Sequence, residues 1–143
     1  MGGKAQTCPV CEGSGRAEPN YLRLPFWYII NPATVGQVYV AASTAVTGAL
    51  QIEPRADFEW VWLAATATSA SFTTEFTDAS GRTYQNLPVN SANQWGTAQL
   101  PFALIVPVVL PMRTALNYRI TDTSGQNNTI QLALIGYELY TNQ

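Results

Sequence analysis

The stretch from Arg55 to Arg82, RADFEWVWLAATATSASFTTEFTDASGR, does most to limit what this chain can fold into. Phe58, Trp60, Trp62 and Ala64 alternate with Glu59, Val61, Leu63 and Ala65. Further on, Phe72, Thr74 and Phe76 alternate with Thr73, Glu75 and Thr77. Side chains on a strand point to opposite faces with period two, so each run carries one aromatic face. The spacing predicts two long antiparallel strands, followed by a turn at Asp78-Ala79-Ser80-Gly81, residues that tolerate tight backbone geometry. The first strand is apolar on part of its second face too, at Val61 and Leu63, which predicts cover on both sides. Such a unit belongs in a β-sandwich or barrel and by itself implies no function.

The rest of the chain repeats the theme. YLRLPFWYII (Tyr21 to Ile30), QVYVAA (Gln37 to Ala42) and AVTGALQIE (Ala45 to Glu53) read as strands, with Gly48 marking a possible bulge position. The run from Leu100 to Pro111 is apolar but interrupted by Pro101, Pro107 and Pro111. Prolines exclude it from the middle of a sheet and predict an edge strand or a covering loop. Leu116, Tyr118 and Ile120 share one face of the next strand, and a turn at Thr123 to Asn128 leads into the last, Thr129 to Tyr140. There the apolar phase is expected to slip at Gly136, which predicts a bulge. Trp95 sits in a polar, turn-rich segment, either as a plug over the core or as a contact residue. About eight strands joined by unequal loops predict an all-β, jelly-roll (Greek-key) β-sandwich over residues 21–143.

Composition narrows the function. Only 11% of the 143 residues are charged, against roughly 25% in an ordinary soluble domain. A surface so poor in charge predicts a chain largely covered by partners. The net charge of −2, with Lys4 the one lysine, lacks the basic footprint of direct nucleic-acid binding. There is no histidine, which removes the usual general base and every Ser-His or Cys-His arrangement. No apolar run reaches the roughly 20 residues of a membrane helix, and MGGKAQTCPVCEGSGR lacks the apolar segment of a secretion signal. The expectation is a protein made in the cytoplasm of a host cell, without a membrane and without an enzymatic reaction.

Residues 1–20 differ in kind. With Gly2, Gly3, Gly13, Gly15, Pro9 and Pro19 and no apolar periodicity, they predict an extended N-terminal arm that takes a fixed path only when held. Lys4, Thr7, Arg16 and Pro19 of this arm, with Trp95, are the expected partner contacts. Cys8-Pro9-Val10-Cys11-Glu12-Gly13-Ser14-Gly15 spells CxxCxGxG, which resembles the cysteine-rich repeat of J-domain co-chaperones, where two such repeats hold one zinc. One repeat cannot close a tetrahedral site, so Cys8 and Cys11 would bind zinc only if the metal were shared between chains. An inert reduced pair and a redox disulfide are the other readings.

Other polar groups offer less. Glu53, Asp57 and Glu59 cluster at a strand start, where a solvated face or pairing with Arg55 is expected rather than a glycosidase pair. Asn127-Asn128-Thr129 matches a glycosylation pattern, which a chain without a secretion signal has no use for. Trp27, Tyr28, Trp60, Trp62 and Trp95 could stack on sugars, although strand alternation makes core packing the default.

The order IEPRADFEWVWLAATAT, TDASGR, LPFALIVPVVLP, RTALNYRITD and IQLALIGYELY resembles the jelly-roll cement proteins of tailed bacteriophages, of the short-tailed Bordetella phage type. The resemblance spans about Tyr21 to Tyr140 and rests on length, strand order and the closing GY-x-LY, not on a catalytic motif. It implies a homodimer or homotrimer on the outer surface of a virion, clamping major capsid proteins of HK97-like fold. The arm has no counterpart in that pattern. The competing expectation is a receptor- or glycan-binding sandwich from a tail fibre or baseplate.

Overall fold

The longest alternating run in the sequence is the spine of the structure. In this computed structural model, which describes residues 21–30 and 36–141, strand β9 (Asn128–Thr141) pairs antiparallel on both of its edges. On one side lie β1 (Tyr21–Ile29) and β2 (Val38–Val40); on the other lies β4 (Asp57–Ala67), which in turn carries β7 (Phe102–Leu110) at the sheet edge. The second sheet runs in the order β3 (Ala45–Gln51), β8 (Ala115–Asp122), β5 (Phe72–Thr77), β6 (Val89–Asn90). A four-residue helix, α1 (Ser91–Gln94), follows β6. The described residues thus form two antiparallel sheets of a β-sandwich. The arm expected over residues 1–20 lies outside the described residues.

β4 and β5, which the sequence predicts as an antiparallel pair, lie in different sheets. Phe58 and Trp60 of β4 and Phe72 and Phe76 of β5 point into the same core, so the alternation holds up to Trp60 and the pairing does not. Phe58, Trp60, Phe76, Ile120, Leu132 and Leu134 are fully buried between the sheets. Edge-to-face contacts link Tyr28 to Phe58 with ring centroids 4.7 Å apart and Trp60 to Phe76 at 5.6 Å. Such pairs add about 0.5–1.5 kcal/mol each to the hydrophobic term.

The expected bulge exists, but on the other strand. β9 keeps its phase through Leu134, Gly136 and Glu138, all buried. On β4, Trp60 pairs with Gly136 and Trp62 with Ile135, so Val61 is the extra residue. The bulge turns Trp62 out of the core and brings Leu63 in, where it is fully buried. The Trp60 indole N–H donates to the Trp62 carbonyl at 3.0 Å, spanning the irregularity. Gly136 is needed for clearance: a Cβ there would lie 1.8 Å from the Glu59 carbonyl oxygen.

Gly48 marks no bulge either, since β3 and β8 stay in register from Ala45↔Thr121 to Gln51↔Ala115. It faces Tyr118, whose ring occupies the space a β-carbon would take. Leu100 to Pro111 does form an edge strand, as its prolines require.

Candidate functional site

The β7 edge is the most unusual surface of the described chain. Phe58↔Leu110, Glu59↔Val109 and Trp60↔Val108 share one register with β4, whereas Trp62↔Ala103 and Leu63↔Phe102 share another. Leu104 to Pro107 therefore stand opposite Val61 alone and bow away from the sheet. Pro107 lacks the N–H that a regular ladder uses, which suits it to this position. The bow projects Ile105, 97% exposed, and Val106, 69% exposed. Leu100, Phe102 and Val109 are exposed alongside them. No charged residue occurs from Leu100 to Met112.

A groove of about 500 Å³ opens beside this ledge, between β7 and the β5–β6 edge of the other sheet. Trp60, Phe76, Tyr84 and Val89 line its depth, and Ile105 and Val106 line its mouth. Arg82 stacks over Tyr84, 5.4 Å from the ring centroid, at the polar rim. Above the groove the chain crosses between sheets: α1 leads into Trp95, and Gly96 bonds to β4 in both directions, with the Ala65 amide donating to the Gly96 carbonyl at 2.9 Å. Trp95 is only 9% exposed. It packs on Phe76, and its indole N–H donates to the Thr74 hydroxyl at 3.1 Å. Of the two roles the sequence leaves open for Trp95, it takes that of core plug, so its side chain offers a partner no free face.

A second apolar basin, of about 510 Å³, lies on the outer face of the five-stranded sheet. Ala64 and Ala133 form part of its floor, with Trp27, Trp62 and Pro101 around them. Trp27 is 56% exposed, and Trp62 leans on Tyr137. Of the five aromatics considered for sugar stacking, Tyr28, Trp60 and Trp95 are buried in the core. Beside the indole N–H groups of Trp27 and Trp62, the polar side chains lining the basin are Thr66 and Gln131, and the Gln131 amide already donates to the Gly36 carbonyl at 3.2 Å.

The carboxylates serve the fold. Glu59 pairs with Arg23 at 2.9 Å rather than with Arg55, and Asp57 accepts from the Met112 amide at 2.9 Å. Arg55 meets Glu138 at 2.8 Å and Glu53 at 3.6 Å, with its guanidinium 5.1 Å from the centre of the Phe26 ring. At the opposite end of the sandwich, Asp122 accepts from the Ser43 amide at 2.9 Å, the Gly125 amide at 3.0 Å and the Asn128 side chain at 3.2 Å. Hydrogen bonds from the Ser124 hydroxyl and then the Ser43 amide hold its carboxyl well below the usual carboxylate range. Asn128 is fully buried and binds the Ser69 backbone through both its amide and its oxygen. Its neighbour in the glycosylation pattern, Asn127, accepts from the Ala42 amide. Asp122 and Asn128 thus tie three turns together.

Among the described residues no three His, Cys, Asp or Glu side chains converge as metal ligands. Cys8 and Cys11, and with them Lys4, Thr7, Arg16 and Pro19, lie outside the described residues. Among those described, no helix is long and apolar enough to cross a membrane. Ile105 and Val106 are the surface residues that the sequence reading missed. Their signal was available: an apolar run without alternation, placed at an edge by its prolines, has a second face with nothing in its own sheet to cover it.

Comparison of the chain with protein-family models gave no match, and no curated protein was similar to it.

Proposed function

We propose that this chain is a structural subunit of a larger protein assembly. The observation that carries the reading is the uncharged ledge along β7, with Ile105 and Val106 held out in water on a chain already poor in charge. Monomeric proteins rarely keep contiguous apolar surface of this extent unless a partner covers it. The bonding of Asp57, Glu59, Asp122 and Glu138 into structural contacts agrees with a role that involves no reaction.

Within that class, the particular protein we infer is a capsid cement or decoration subunit of a tailed bacteriophage. On this reading the sandwich is a jelly roll, bound as a homo-oligomer to the outer surface of an icosahedral head. There it clamps neighbouring major capsid proteins of HK97-like fold. The strand order in the sequence and the resemblance it carries support the specific assignment. Cementing needs no chemistry: a subunit that binds only the assembled lattice stabilises it by mass action, and contacts to several shell subunits add avidity.

The test is addition of purified protein to heads assembled without it. Co-sedimentation with the heads and a raised head melting temperature are expected. Protein that stays in the supernatant, with unchanged head melting, would count against the reading. Binding to host-surface glycans in that case would favour the tail-fibre or baseplate alternative, with Trp27 as the stacking residue.

A further inference from the structure

We propose that the β7 edge docks a second copy of this chain about a two-fold axis near Val106. This deepens the assembly reading and rests on it for the expectation of a partner; the choice of partner comes from the shape of the edge. Val106 is the midpoint of β7, and it lies within the bow at Leu104 to Pro107. A two-fold contact must be self-complementary, because the same patch serves both subunits. This patch holds both halves of a fit: a protruding Ile105 and Val106, and the apolar groove whose mouth they line. Antiparallel placement about Val106 brings the ledge of each copy to the groove of the other.

Three further features agree. Leu100, Phe102, Ile105, Val106 and Val109 are all exposed along this edge, a row of apolar side chains long enough to seat a standard interface, to which each partner contributes roughly 800 Å². The absence of charge over those residues means that two identical edges meet without like-charge repulsion. Pro107 and the bow prevent regular strand addition along the whole edge, which limits association to a side-chain contact and guards against open-ended sheet growth. A closed pair follows rather than a fibre.

Sedimentation of the full-length chain over a range of concentrations tests this. Wild-type protein is expected to be a dimer with a dissociation constant at or below about 1 µM, as suits a standard-size interface. The double variant Ile105→Asp, Val106→Asp should dissociate at least 100-fold more readily. It should melt at the temperature of the wild-type monomer, because both side chains lie in water. A wild-type monomer, or a double variant that associates as wild type does, would overturn the proposal. In a Cys8→Ser, Cys11→Ser background, Val106→Cys should give a disulfide-linked pair on oxidation, whereas Thr66→Cys on the outer sheet face should not. A dimer that fails to link through Val106→Cys also overturns it. The two proposals fail separately: a wild-type monomer that binds heads removes the dimer alone, and a dimer that ignores heads removes the cement assignment alone.

Discussion

Replacing Gly136 by alanine tests the account of the central sheet most directly. Gly136 lies on β9 between Phe26 of β1 and Trp60 of β4. A Cβ there would sit 1.8 Å from the Glu59 carbonyl oxygen and 2.9 Å from its carbon. Non-bonded heavy atoms need about 3.5 Å, so the two strands would have to part by roughly 1.5 Å. The obstructing atoms are backbone, which cannot rotate away as a side chain could. Overpacking costs about 1–3 kcal/mol where side chains give way. Here the bulged ladder itself must open, so we expect about 3–5 kcal/mol, a large share of the roughly 5–15 kcal/mol that keeps a domain folded. For a chain of this size that lowers Tm by about 10 °C or more. Gly125→Ala is the control: its φ of +77° strains any side chain, but nothing lies within 4 Å of the new Cβ. That conformation costs an L-residue about 1–2 kcal/mol. Thermal and urea unfolding followed by circular dichroism would rank the two. A Gly136→Ala protein that melts within about 2 °C of wild type, or above Gly125→Ala, would refute the close-approach argument.

Four other substitutions probe separate parts of the fold. The Tyr118 hydroxyl is buried without a hydrogen-bond partner, and burial raises its pKa; Tyr118→Phe should be neutral or stabilise by up to about 1 kcal/mol, and a loss of stability in urea would reveal a missed partner. Asp122 has a depressed folded-state pKa, so its contribution is present above the unfolded value near 3.9 and is lost as pH falls below it. Asp122→Asn should lower the urea midpoint at pH 7 and flatten its decline below about pH 4; a decline as steep as wild type would show that other carboxylates dominate acid unfolding. Trp95→Ala should cost about 3–5 kcal/mol as a core truncation, whereas Trp27→Ala on the outer face should cost much less; similar losses would contradict the placement of Trp95 as a plug.

Much of this architecture was legible in the alternation of residues, because period two is a local property of strands. Phe72, Thr74 and Phe76 face the core as their spacing requires, and Pro107 puts its strand at an edge as a missing donor must. Pairing was less legible. β4 and β5 are neighbours in sequence, yet hydrophobic faces alone do not say whether two strands share a sheet or oppose each other across the core. The bulge was assigned to Gly136 because glycine is the visible irregularity. In fact glycine provides room for the irregularity on the facing strand, where Val61 carries no mark in the sequence. The ledge escaped for a related reason. The run from Leu100 to Pro111 reads as an edge strand, but that Leu104 to Pro107 all stand opposite Val61 follows only from the register break between Trp60 and Trp62.

The central position of β9 has a consequence for how the chain acquires its structure. β1 pairs with β9 from Tyr21↔Thr141 inward, and β4 and β2 depend on the same strand. Until β9 has emerged from the ribosome, β1 and β2 have no ladder to join, β4 can pair only with β7, and the aromatic side chains of β4 have no finished core. Contacts so distant in sequence make for slow folding, since a long loop must close before any of them forms. The nascent chain therefore passes through a period in which its most apolar segments are exposed and unpaired. Chaperone holding or a low rate of synthesis should raise the yield of folded protein more than any change confined to the finished surface.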